Sequence, residues 1–128
     1  MKNNREVFGR DGFIKIDSIL SLDEVNVLRT IYDGLLKDKS KTGHLRSDLA
    51  GKDEGSEEKV ERITQIMRPS SVEPRLQQNI AYKKTLQWAK DLLGTDMELD
   101  FDMLINKAPH TNTPTPWHQD AAYWIDMP

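Results

Sequence analysis

A histidine and an aspartate stand two positions apart near the end of the sequence, at His118 and Asp120. Residues two apart on a β-strand project from the same face, so an imidazole nitrogen and a carboxylate oxygen could converge on one point. This mixed donor set suits Fe(II), Mn(II) or Zn(II). The pair therefore predicts part of a metal site. His-x-Asp also arises by chance, as one hydrogen-bonded pair on a surface strand.

A site of this kind needs a third protein ligand. In the 2-His-1-carboxylate arrangement, that ligand is a second histidine from a distant strand. The chain has three histidines, and the other two, His44 and His110, lie upstream in segments rich in turn residues. Histidines in loops are usually solvated, so we expect neither to bind the metal. The chain has no cysteine, which excludes disulfides, zinc fingers, iron–sulfur sites and thiol nucleophiles.

Length and composition indicate one domain of a soluble, charge-rich protein. The chain has 128 residues, of which 37% are hydrophobic and 30% charged, and its mean hydropathy is −0.68. No apolar run is long enough for a transmembrane helix or a secretory signal, so we expect a cytoplasmic protein without a membrane partner. A net charge of −3 argues against nucleic acid as a partner.

Helical periodicity is clearest over residues 21–38. Ser21 and Glu24 fit a capping box at its start, and apolar residues follow at helical spacing. Before it, the pattern predicts a short helix or turn over 3–10 and a half-buried strand over 12–17. The apolar positions of the 21–38 helix are Val25, Leu28, Ile31, Tyr32 and Leu35.

The middle of the chain changes character. Residues 39–58 are polar and glycine-containing, which predicts a mobile loop, either plain solvated surface or a substrate lid. A strand is predicted over 60–67. Two helices are predicted after it, from Ser70 or Ser71 to about Asn79 and over 82–93. The inward side chains of the second helix are predicted to be Leu86, Ala89, Leu92 and Leu93.

Alternation with period two predicts a long strand over 96–106. Its acidic residues are expected to form a solvated face opposite the apolar one. A Pro/Thr/Asn loop over 107–116 follows, and then an aromatic, strand-like segment over 117–124. Helices early in the chain and strands late in it predict an α+β fold. The apolar positions of the long strand are Met97, Leu99, Phe101, Met103 and Ile105.

Several segments together resemble the phytanoyl-CoA dioxygenase family of Fe(II)/2-oxoglutarate oxygenases. The most specific is Thr-Pro-Thr-Pro-Trp-His-Gln-Asp-Ala-Ala-Tyr-Trp over 113–124. Met-Leu-Ile-Asn-Lys-Ala-Pro over 103–109 is similar as well. Near the start of the chain, Phe8-x-x-x-Gly12-Phe13-Ile14 and then Ile-Leu-Ser over 19–21 also match. The resemblance covers nearly the whole chain.

The resemblance implies a function and its residues. His118 and Asp120 match two iron ligands. Gln119 matches a position that lines the 2-oxoglutarate site, and Met103 matches a strand residue that packs against this co-substrate; the alternative for Met103 is a residue of the core. Gln65 lies near a position that contacts 2-oxoglutarate, where some family members have a basic residue. The implied activity is hydroxylation of a small organic substrate with O₂, in which 2-oxoglutarate is converted to succinate and CO₂. The implied fold is a double-stranded β-helix, a jelly-roll, cupin-like barrel flanked by N-terminal helices.

The sequence also departs from the family pattern. The second histidine ligand and the arginine that pairs with 2-oxoglutarate lie downstream of His-x-Asp in the family, but no His or Arg follows Asp120 here. We therefore expect residues 1–128 to be one domain that is an incomplete, truncated N-terminal portion of such an oxygenase. The alternative is a non-catalytic remnant that binds metal weakly or serves as an interaction module.

Overall fold

The computed structural model describes residues 2–51 and 61–120, in which helices are combined with one small antiparallel sheet. This mixture confirms the α+β class. The first half contains α1 (Lys2–Asp11), α2 (Leu22–Lys37), α3 (Lys39–Thr42), a 3₁₀ turn (Gly43–Leu45) and β1 (Arg46–Asp48). The second half contains β2 (Ile63–Met67), a 3₁₀ turn (Pro69–Ser71), α4 (Arg75–Gln78), α5 (Ile80–Leu93) and β3 (Met103–Lys107).

Helix α2 forms where periodicity and capping predict it. The Glu24 amide donates to Ser21 Oγ over 3.2 Å, and the Ser21 amide donates to Glu24 Oε2 over 2.7 Å, which completes the capping box. The helix buries Ile31 and Leu35. Its local signals and its packing agree, so the predicted helix over 21–38 is confirmed.

The sheet has the strand order β1-β2-β3, and both pairs are antiparallel. Ser47 pairs with Gln65 between the first two strands, and Gln65 pairs with Ile105 between the second and third. The central strand β2 confirms the strand predicted over 60–67, with Ile63 and Met67 as its bounds.

Only one face of this sheet is packed. Ile66 of β2 is fully buried and forms a core with Ile31 and Leu35 of α2, and Leu104 of β3 packs against them. On this same face, the Tyr32 hydroxyl donates to Asn106 Oδ1 over 2.7 Å. Burial raises the pKa of the Tyr32 hydroxyl, with a smaller contribution from the nearby Asp33 carboxylate. The opposite face is open, because Met103 and Ile105 are 40% and 49% exposed.

The prediction for the long strand over 96–106 is wrong in extent and in orientation. Only Met103–Lys107 is a strand, and its partly buried positions are 104 and 106 rather than 103 and 105. Asp102 does not lie on a solvated face, because its carboxylate accepts hydrogen bonds from the backbone amide and hydroxyl of Ser70. Alternation in sequence does not specify which face a neighbouring helix will cover.

Residues 39–48 are ordered, which corrects the loop predicted over 39–58; residues 52–58 lie outside the described part. The Arg46 guanidinium organises this turn. It donates to the carbonyls of Leu35 and Leu36 at the end of α2, to Thr42 Oγ1 at 2.9 Å, and to Glu61 Oε2 at 2.8 Å. These bonds satisfy helix-end carbonyls that have no partner within the helix.

Four further predictions change. Residues 12–17 are not a strand. The predicted helix ending near Asn79 is a 3₁₀ turn followed by the four-residue α4, and Leu93 of α5 is exposed rather than inward. Residues 117–120 are not in a strand, and 121–124 lie outside the described residues. No helix within residues 2–51 and 61–120 combines the length and apolar character needed to cross a bilayer.

Candidate metal centre and the adjoining sheet face

The structure brings the side chains of His118 and Asp120 together. His118 Nε2 lies 3.4 Å from Asp120 Oδ1. Two donor atoms that share one metal ion at bonds of about 2.1 Å, at angles between octahedral and tetrahedral, lie about 3.0–3.4 Å apart. The pair therefore fits two neighbouring positions around one metal ion.

A backbone carbonyl orients the His118 ring. His118 Nδ1 lies 2.8 Å from the Pro116 carbonyl oxygen. Because a carbonyl oxygen can only accept, Nδ1 must carry the proton, and in the neutral ring Nε2 then presents its lone pair. Metal-binding histidines are commonly held in this way through their other nitrogen. In this tautomer, the nitrogen that faces Asp120 is therefore the one that carries the lone pair.

This pair lies on a loop and not on a strand, which corrects the geometry expected from the spacing. The loop begins after β3 and turns through His110 and Asn112, both in the left-handed region at φ 61° and 46°. Thr111 Oγ1 donates to the Ala108 carbonyl over 2.9 Å and bonds to Thr113 Oγ1 over 3.0 Å. Local turn geometry therefore brings His118 and Asp120 together here.

The candidate centre is open and has two protein donors in the described structure. The side chains of His118 and Asp120 are 40% and 80% exposed. Within residues 2–51 and 61–120, no three His, Asp or Glu side chains are grouped to hold a metal ion. His44 lies in the exposed 3₁₀ turn before β1, and His110 is an exposed residue of the turn after β3.

Two of the three residues predicted to contact 2-oxoglutarate touch each other. Gln65 Nε2 lies 2.6 Å from the Met103 sulfur and 3.2 Å from the Met67 sulfur. On the other side, Ser47 Oγ donates to Gln65 Oε1 over 3.1 Å. These contacts hold the Gln65 side chain across all three strands of the open sheet face.

The third predicted residue, Gln119, is exposed on the loop between the two ligands. Ser47 and Met67 were not identified from the sequence. Ser47 lies beside Gln65 through strand pairing, whereas Met67 lies two residues from Gln65 on the same strand. A polar strand of three residues, such as Arg46–Asp48, has no alternation of apolar and polar residues from which it could be predicted. The open face thus presents the Gln65 amide and the thioethers of Met67 and Met103. The Ser47 hydroxyl is hydrogen-bonded to the same amide.

A separate open cleft of about 610 Å³ lies near the end of the sheet where β2 ends and β3 begins. It is lined by residues that include Arg68, Tyr82 and Asp100. None of the five predicted site residues lines this cleft.

The family model for phytanoyl-CoA dioxygenase (PhyH) matches residues 8–128, which is nearly the whole chain. The chain has no significant match among curated proteins or among solved structures. The match includes His118, Asp120 and the three residues predicted to contact 2-oxoglutarate. The chain belongs to the phytanoyl-CoA dioxygenase family, whose members are typically Fe(II)- and 2-oxoglutarate-dependent oxygenases.

Proposed function

We propose that the complete protein is an Fe(II)- and 2-oxoglutarate-dependent dioxygenase that hydroxylates a small organic substrate and releases succinate and CO₂. The observation that carries the proposal is the arrangement of His118 between the Pro116 carbonyl and the Asp120 carboxylate. That arrangement occurs at the position where the family resemblance expects two iron ligands.

Each side chain has a defined task in this proposal. His118 Nε2 and Asp120 Oδ1 hold the iron, which when bound supplies open positions for 2-oxoglutarate and O₂. Gln119 contacts the co-substrate from the loop. Gln65 and Met103 contact it from the sheet, where the exposed Met103 and the neighbouring Ile105 provide an apolar wall that limits access of water.

The remaining parts of the site are proposed to come from outside these 128 residues. They are a second histidine ligand, an arginine for the 2-oxoglutarate carboxylate and the further strands of a jelly-roll barrel. The three-stranded sheet would be one wall of that barrel, and its open face would line the interior. We further propose a cytoplasmic enzyme that does not bind nucleic acid or membrane.

The second candidate is a non-catalytic module that binds metal weakly or serves in an interaction. The grouping of only two metal donors within the described residues favours it for this chain by itself. Catalysis needs the missing ligand, whereas weak metal binding does not.

Succinate release separates the two candidates. In the complete protein, we expect Fe(II)-dependent conversion of 2-oxoglutarate to succinate, lost in His118→Ala and in Asp120→Ala. Succinate release that is undiminished in both variants would show that the metal site lies elsewhere. The 128-residue chain alone is expected to give no robust turnover, and robust turnover would contradict the proposal that essential residues lie outside it.

A further inference from the structure

Two hydrogen bonds, joined by the peptide bond between Thr115 and Pro116, connect the end of β3 with the His118 imidazole. Lys107, the last residue of β3, donates from Nζ to Thr115 Oγ1 over 2.7 Å. Thr115 directly precedes Pro116, whose carbonyl accepts the Nδ1 proton of His118. The contact between Lys107 and Thr115 therefore acts on the same short segment that sets the orientation of the ring.

The backbone makes this connection stiff. Thr115 lies between Pro114 and Pro116, and each proline fixes its own φ and restricts the residue before it to extended conformations. Because few backbone torsions in this segment can rotate, the position of Thr115 determines the position of the Pro116 carbonyl. Anchoring Thr115 thus limits where the His118 ring can lie.

Lys107 also links the loop to the predicted co-substrate surface. It lies on the open sheet face, two residues from Ile105 and four from Met103, because strand residues alternate between faces. Lys107 pairs with Ile63 at the end of the ladder, and the Ala108 amide extends the ladder by donating to the Arg62 carbonyl over 2.9 Å. The sheet therefore holds the backbone of Lys107 in place.

We propose that Lys107 and Thr115 are positioning residues of the candidate metal centre, an inference that rests on the proposed function. Their hydrogen bond holds the Pro116 carbonyl so that His118 keeps Nε2 directed at Asp120. A neutral imidazole without such a partner favours the opposite tautomer, with the proton on Nε2, and that tautomer presents no lone pair to a metal at Nε2.

The first test is made on the metal-free protein and does not depend on iron chemistry. ¹⁵N NMR reports which ring nitrogen of neutral His118 carries the proton. We expect the Nδ1–H tautomer in the wild type and a shift toward Nε2–H in Lys107→Gln and in Thr115→Val. Lys107→Arg, which keeps a donor, should retain the wild-type tautomer, and Lys83→Gln on α5 serves as a control. An unchanged tautomer in both Lys107→Gln and Thr115→Val would overturn the proposal.

The second test measures Co(II) affinity, with Co(II) as the probe for the Fe(II) position. Loss of one hydrogen bond predicts a dissociation constant about fivefold higher in either variant, with no further rise in the double variant. The direction of the change in Co(II) affinity separates positioning from a simple charge effect, because removal of a positive charge near a metal would by itself tighten binding. Tighter binding in Lys107→Gln, or a change in Lys107→Gln alone, would contradict the positioning role. If the wild type binds no Co(II), the proposed metal site fails, and the tautomer experiment still decides whether the contact orients His118.

Discussion

Gln65 and Met103 touch across two strands, with Gln65 Nε2 2.6 Å from the Met103 sulfur. The register explains the contact. Met103 pairs with Met67, so it lies diagonally across from Gln65 on the same face. Two residues matched separately to co-substrate positions therefore belong to one continuous surface. The Ser47 hydroxyl holds that surface from its other side.

Ser47→Ala should weaken 2-oxoglutarate binding without affecting the metal. Loss of the Ser47 hydrogen bond frees the Gln65 amide to rotate, and one hydrogen bond of this kind predicts a dissociation constant about two- to fivefold higher. Anaerobic calorimetry on metal-loaded protein measures it. Ser71→Ala, which removes a hydroxyl outside the sheet face, is the matched control. Equal affinities in the wild type and Ser47→Ala would show that Gln65 needs no support from β1.

Arg46→Lys should destabilise the fold strongly. The Arg46 side chain is 7% exposed, and it joins the end of α2 to Thr42 and Glu61. An ammonium group cannot reproduce this planar set of donors, so the free energy of unfolding should fall by about 2–4 kcal/mol. Urea unfolding measures the change. Arg10→Lys, at an exposed ion pair, should leave the urea midpoint unchanged. Matching midpoints for the two variants would contradict the structural role of Arg46.

Glu73 should make stability depend on acid pH. Hydrogen bonds from Arg75 and then from Lys41 lower the pKa of the buried Glu73 carboxyl to about 2, against the opposing effect of burial. A depressed folded-state pKa contributes stability above the unfolded value of 4.5, and this contribution is lost as pH falls toward about 2. Glu73→Gln should therefore be less stable than the wild type at pH 7. Thermal unfolding measured from pH 7 to pH 2 should show that the stability difference between the wild type and Glu73→Gln becomes smaller as the pH falls. A stability difference that stays constant over this range would contradict the role of Glu73.

Ile66→Ala tests which sheet face is the core. Ile66 is fully buried against Ile31 and Leu35, so truncation should lower the free energy of unfolding by about 2–4 kcal/mol. Ile105→Ala, on the open face of the adjacent strand, is the control and should change stability far less. The packing described here would be wrong if Ile105→Ala were the more damaging change in urea unfolding.

The fold was predictable where local signals suffice. Helix α2 carries its own cap and apolar period, and β2 has a compact β-branched sequence. The strand Arg46–Asp48 is polar and exists through its pairing with β2, which no local pattern records. Conversely, residues 96–102 alternate well but belong to no strand in the described structure, so alternation there does not by itself produce a strand.

The sequence names candidate site residues, but it does not give their geometry. His118 and Asp120 were identified from their spacing and the family resemblance, yet they meet through a turn rather than along a strand. The roles of Ser47, Lys107 and Thr115 depend on which strands lie side by side and where the loop returns. Such contacts are tertiary, and a linear pattern does not contain them.

Metal titration of the 128-residue chain tests the central claim most directly. Its three histidines provide internal controls, because His118→Ala and Asp120→Ala remove proposed ligands, whereas His44→Ala and His110→Ala do not. We predict weak Co(II) binding that falls at least tenfold in either ligand variant and is unchanged in either control. Binding that survives in His118→Ala and Asp120→Ala, or that is lost in His110→Ala, would contradict the assignment of the metal centre.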